Sequence, residues 1–245
     1  MSTGAPPVDR DVMWHDVECA AYDGDLALWT ELAGDAAGPV LELGCGTGRV
    51  ALHLARDGVE VSALDRARNL LAELRARAAR SGVEIETMEA DAREFELRRP
   101  AALIVAPMQL VQILGGLTGR HGMLASASAS LPRGGQLALT IAEPEDEGLS
   151  PPPSPDVREL DGWIYSSLPV EVRDVPGGFE VHRLRQIVSP DGELTDTLDV
   201  IRFDRVSPDA LAREAVALGL RLVERREISP TERYVGSTAL LFERG

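Results

Sequence analysis

The sequence contains no lysine; all 25 basic residues are arginine. A GC-rich genome, which favours Arg, Ala and Gly codons, is the bland source of such a bias. The chemical consequence holds whatever its origin. Lysine Schiff-base enzymes, Walker-type phosphate loops and lysine-dependent short-chain reductases each need an amine that this chain cannot supply. Cysteine is nearly as scarce. Cys19 and Cys45 make neither a disulfide framework nor a metal-ligand cluster, so no metal site is expected. No apolar run approaches the length of a membrane span. The start "MSTGAPPVDRDVMWHD" lacks a basic segment followed by an apolar core, which argues against a signal peptide and makes the cytoplasm the expected location. Positive charge is also in deficit, with a formal net charge of −15. A surface that acidic repels phosphate backbones and anionic lipid, so nucleic-acid and membrane partners are not expected. Small molecules, cationic ones included, remain natural partners.

What is present fits one large globular domain. The 245 residues are 44% hydrophobic and 27% charged, enough to bury a substantial core. Strand and helix patterns alternate from residue 39. Strand-like runs at 39–44, 59–65, 83–91, 101–107 and 134–142, the fourth fully apolar, predict five strands, with helices after the first, second and fourth of them; the last of these helices is expected over 118–132. The acidic, proline-rich stretch 143–156 predicts an irregular connection or lid. Three strand-like runs follow at 162–172, 179–188 and 194–206, parted by the turn signals Pro176-Gly177-Gly178 and Ser189-Pro190-Asp191-Gly192. A helix begins with Ser207 as its cap and Pro208 in its first turn, and ends at Gly219. Two last strands, 220–228 and 234–244, close the chain. The reading is an α/β, Rossmann-like, doubly wound and mostly parallel sheet with an antiparallel β insertion after the fifth strand. Residues 1–38 form a helical segment over the ligand site, 39–142 with 207–245 the sheet domain, and 143–206 the insertion.

The most informative stretch is "VLELGCGTGRV", residues 40–50, where a buried strand stops at three alternating glycines, Gly44, Gly46 and Gly48. A dinucleotide fold needs a third glycine where Arg49 stands. Gly-x-Gly-x-Gly preceded by the acid Glu42 instead resembles motif I of the class I S-adenosylmethionine-dependent methyltransferases. Asp65 closes the second strand, 21 residues after Gly44, where a carboxylate can accept both ribose hydroxyls of an adenosine or simply cap the next helix. Asp91 closes the third strand in "EADAREF". The run Pro107-Met108-Gln109 with Gln112 is similar to one in related bacterial small-molecule methyltransferases, although many relatives carry an acid here that this chain lacks.

The resemblance covers residues 20–142 best, and it implies a strand order of 3-2-1-4-5-7-6 with S-adenosylmethionine as methyl donor and S-adenosylhomocysteine as product. It assigns cofactor contact to Tyr22, Glu42, Gly44, Cys45, Gly46, Thr47, Gly48, Asp65, Arg66, Asp91, Ala92, Ala106, Met108 and Gln112, with Asp91 and the amide of Ala92 reading the adenine. The helix N-terminus behind the glycines favours the methionine carboxylate. Methyl transfer from an activated sulfonium needs alignment and desolvation more than a dedicated base, which leaves catalytic residues poorly marked. Candidates for the reaction are Tyr22, Gln109 and His121, the last placed in a loop before a helix. Gln109, Trp163 and Tyr165 are candidates for acceptor binding, the two aromatics being equally suited to sheet packing. Asp23 and Asp25 read as helix caps, and His53 and His182 as structural. His15, beside Trp14, is left without a role. The expected function is transfer of a methyl group to an N or O atom of a small molecule by a monomer or homodimer; the alternative is a noncatalytic binding module on the same fold.

Overall fold

In the computed structural model, residues 8–142, 154–231 and 234–245 are described. Most of the acidic stretch expected as an irregular lid, 143–153, lies outside them, as do residues 1–7 of the N-terminal segment. Two helices come first, α1 (Arg10–Cys19) and α2 (Leu26–Asp35). Asp9 caps α1, its carboxylate accepting the amides of Asp11 and Val12. The alternating unit follows as β1 (Val40–Leu43), α3 (Arg49–Arg56), β2 (Val61–Asp65), α4 (Arg68–Ser81), β3 (Glu86–Glu89), β4 (Leu103–Ala106), α5 (Gly116–Ser130) and β5 (Gln136–Ile141). A second set comprises β6 (Asp156–Leu160), β7 (Trp163–Val175), β8 (Gly178–Val188) and β9 (Leu194–Asp204). The chain ends with α6 (Pro208–Val216), β10 (Leu220–Ile228) and β11 (Ser237–Arg244).

The main sheet runs β3-β2-β1-β4-β5-β11-β10, which is the 3-2-1-4-5-7-6 order implied by the resemblance. Neighbours are parallel from β3 through β5, and β11 enters antiparallel between β5 and β10. Every residue of the central strands β1 and β4 is buried, because helices cover both faces there. Their side chains alternate between two cores. Leu41, Leu43 and Ile104 face α5 and α6, whereas Val40, Leu103 and Val105 face α2, α3 and α4. The edge strand β3 is only half covered.

The insertion is an antiparallel sheet of four strands in the order β6-β7-β8-β9, one more than the three strand-like runs predict. Strand β6 begins at Asp156, inside the stretch whose prolines and acids predict irregular structure. It pairs antiparallel with β7 along its length, from Asp156 opposite Ser167 to Leu160 opposite Trp163, and Arg183 of β8 donates to the Asp156 carboxylate at 2.7 Å at the head of the strand. Helix α5 begins at Gly116, two residues before the expected 118, and His121 lies within it, not in a loop before it.

The small sheet grips α1. Trp14 meets Tyr165 edge-on at 5.9 Å between ring centroids, and the Arg185 guanidinium lies over the Trp14 ring at 5.2 Å. Glu18 accepts from Arg185 Nε at 2.7 Å and from Ser167 at 2.7 Å. Asp16 binds both sheets' surroundings at once, receiving Arg77 of α4, Arg158 of β6 and the Thr47 hydroxyl. Among the described residues no helix is long and apolar enough to cross a membrane.

Candidate active site

The carboxyl ends of β1, β2, β3 and β4 open into a cavity of about 380 Å³, roofed on one side by α1. Glu42, Gly44, Cys45, Asp65, Arg66, Asp91, Ala92 and Met108 line it, all eight among the residues expected to touch a cofactor. This is the crevice in which open α/β sheets bind ligands.

The glycine loop is fixed from several directions. The Gly46 amide donates to Asp65 Oδ2 at 2.9 Å, and the Ala67 amide donates to Asp65 Oδ1 at 2.8 Å. Asp65 therefore joins the loop after β1 to the turn after β2, and each of its oxygens keeps one lone pair for a ligand hydroxyl. Gly48 sits at φ +92 as the cap of α3, and a Cβ there would lie 2.2 Å from Leu74, so only glycine fits. Gly46 is closed over by a side chain: a Cβ on it would stand 1.9 Å from His15 Nε2.

Charge in the cavity is carefully placed. Burial pushes the Glu42 carboxyl up to about 8, only partly countered by Arg49 and the Ala51 amide that donates to it at 2.7 Å. Glu42 is thus largely protonated near neutral pH. Arg49 makes a two-pronged pair with Asp25 at 2.5 and 2.8 Å, donates to the Tyr22 carbonyl at 2.9 Å and stacks on the Tyr22 ring. The residue that breaks a dinucleotide fingerprint is a buried anchor in this fold. At the third strand end, Arg93 pairs with Asp91 at 2.6 Å on the open side of the cavity, and hydrogen bonds from Arg93 hold the Asp91 carboxyl down at about 2.

Several expected residues lie elsewhere. Tyr22 packs against Tyr234 at 4.9 Å and its hydroxyl bonds Ser237 of β11, so it does not line the cavity. Gln112 is fully buried as a clamp: its amide donates to the carbonyls of Ala142 and Asp204 and accepts from the Ala142 amide. Ala106 is buried in the core beneath the cavity floor. The Thr47 hydroxyl turns away to Asp16. Gln109 takes a left-handed backbone, φ +59, and its amide donates to Thr140, while Met108 beside it reaches the cavity. His121 belongs to α5 and stands outside the lining. Trp163 and Tyr165 pack with α1 instead of facing the cavity, and the Tyr165 hydroxyl is a buried group with no partner.

Sequence reasoning missed His15, Cys19, Arg49 and Arg93 as lining residues. No local pattern marks them. His15 reaches Thr47 across 32 positions and Arg49 reaches Asp25 across 24, so only the folded chain brings them together. Burial, first of all, and the neighbouring Glu18 push the Cys19 thiol up to about 12, which keeps it un-ionised.

Residues 40–135 match the family model described as "Methyltransferase domain". No curated protein matches the chain. Among solved structures, the chain is similar to the CcbJ methyltransferase of Streptomyces caelestis at 24% identity, TM-score 0.69, over 91% of this chain and 90% of that one. It is similar to CalS10, an amino pentose methyltransferase of Micromonospora echinaspora solved with S-adenosylmethionine bound, at 18% identity and TM-score 0.73, over 99% and 100%. The sugar N-methyltransferase KedS8 of a Streptoalloteichus species matches at 14% identity and TM-score 0.75, over 100% and 98%. At these identities the likeness establishes the fold.

Proposed function

We propose that this chain, whose residues 40–135 carry a methyltransferase domain on the class I methyltransferase fold, transfers a methyl group from S-adenosylmethionine to a small-molecule nitrogen. The observation that carries the reading is Asp65. It stands at the carboxyl end of β2, tied to the Gly46 amide, on the wall of a cavity that Glu42, Asp91 and Ala92 share. That donor set suits an adenosine: a two-oxygen acceptor for the ribose and a carboxylate with a neighbouring amide for the base. The start of α3 and the donors of Arg49 left over from Asp25 suit the methionine carboxylate.

When bound, the cofactor supplies a methyl carbon on a positively charged sulfur that leaves as a neutral thioether. The chain's own part is to hold the acceptor in line, exclude water and manage a proton. Met108, Leu110, Ile113 and Leu114 give the cavity an apolar side against which an acceptor can be desolvated. A small amine fits the acidic character of the chain, and an amino-sugar acceptor fits the neighbours CalS10 and KedS8. Cytoplasmic location and a monomer or homodimer complete the proposal.

The test is transfer of a labelled methyl group from S-adenosylmethionine to a panel of amino sugars and simple amines, read by mass spectrometry. A product heavier by the mass of the labelled methyl group less the hydrogen it replaces supports the reading. Cofactor binding without transfer to any nitrogen or oxygen acceptor favours the noncatalytic module on the same fold.

A further inference from the structure

We propose that Nε2 of His15 is the atom that takes the proton from the incoming acceptor. The inference rests on the methyltransferase reading and adds a residue that this reading does not require.

The geometry is specific. Thr47 Oγ1 lies 2.8 Å from Asp16 Oδ1 and 3.2 Å from His15 Nδ1. Asp16 also receives Arg77 and Arg158, so it is an ionised carboxylate that only accepts. The single hydroxyl proton of Thr47 therefore goes to Asp16. Thr47 is left as the acceptor towards His15, and Nδ1 must carry the ring proton. A neutral imidazole has one N–H, so Nε2 presents a bare lone pair. That edge of the ring lies over Gly46 on the cavity wall.

The surroundings keep the ring neutral. Burial is the largest influence and lowers its proton affinity, with Arg77 of α4 acting the same way. Asp16 and Glu18 of α1 and Asp65 of β2 act in the opposite direction and only partly compensate. A neutral base beside three carboxylates can accept a proton and hold the resulting imidazolium. The balance is simple: an N–H bond of the acceptor ammonium breaks with its pair left on nitrogen, an Nε2–H bond forms, and one proton per turnover returns to water.

Nitrogen-15 NMR of the histidine rings in the full-length protein tests the tautomer without any turnover. Among the four histidines, His15 should show a protonated Nδ1 and a bare Nε2 and titrate below the ordinary histidine value. Replacement by His15→Asn should remove that signal and cut kcat/KM about 10²- to 10⁴-fold, the span of general-base catalysis. Affinity for S-adenosylhomocysteine should stay within about threefold, below the tenfold change that 1.4 kcal/mol produces. A protonated Nε2 in the wild-type protein overturns the proposal whatever the variant does. So does a variant that loses product affinity and rate together, which makes His15 a cofactor ligand. Failure of the wild-type protein to bind S-adenosylhomocysteine at all strikes the methyltransferase reading instead, and the proposal with it.

Discussion

Single residues in this site do different work from what their types suggest. Glu42 reads in the sequence as an acid of the glycine motif, yet in the fold it is a buried, largely neutral carboxyl that accepts one amide. Its unfolded counterpart loses the proton near 4.5 and the folded one near 8. The folded state thus binds the proton more tightly, and stability falls as pH rises between those values. Glu42→Gln keeps the acceptor oxygen and removes the titration. Thermal melts should show the wild type losing more stability than the variant between pH 5 and pH 8, by at least about 2–4 °C, the shift that 1 kcal/mol produces in a chain of this size. Parallel curves would show that Glu42 is ionised in the fold. Asp65 and Asp91 were legible because each stands at or just past the end of a strand that follows the glycines in the alternating unit. Arg49 was legible only as a misfit, since its partner Asp25 stands at the cap position of another helix, α2.

At the scale of elements, the order of strands was readable and several contacts were not. Continuous apolar runs such as 101–107 announce buried strands, and the parallel order follows once helices alternate with them. The strand β6 was hidden by its neighbours: prolines and acids before it suggest irregular chain, and its stabilising partner Arg183 is 27 positions away. Gln112, expected at the cofactor, has a structural role that the sequence hid for a related reason. A buried amide in an apolar stretch must satisfy both ends, and here it joins β5 to β9 by receiving Ala142 and donating to Ala142 and Asp204. Gln112→Ala leaves buried backbone groups without partners and should cost about 1–3 kcal/mol in urea unfolding. Cofactor affinity of the folded variant should be unchanged. A large loss of affinity with little loss of stability would return Gln112 to the ligand site.

For the whole molecule, α1 is the joint between the two sheets. Asp16 and Glu18 carry the joint: burial alone would raise their carboxyls, but hydrogen bonds from Arg77 and Thr47 to one and from Arg185 and Ser167 to the other outweigh it and hold both below their ordinary range. Their stabilisation is full above ordinary values of 3.8 and 4.5 and is lost as pH falls through the lowered ones. Limited proteolysis should therefore cut α1 from the rest before the main sheet opens as pH drops below about 4. Simultaneous loss of protection throughout the chain would contradict this. The central claim, that the cavity at the strand ends is a nucleoside site held by Asp65, has a direct measurement. Isothermal titration with S-adenosylhomocysteine should show one site on the wild type. Asp65→Ala should weaken it by at least about 1–3 kcal/mol, the cost of losing charged hydrogen bonds. A well-folded wild-type protein that binds neither this ligand nor S-adenosylmethionine, or an alanine variant that binds as tightly as the wild type, would contradict the account.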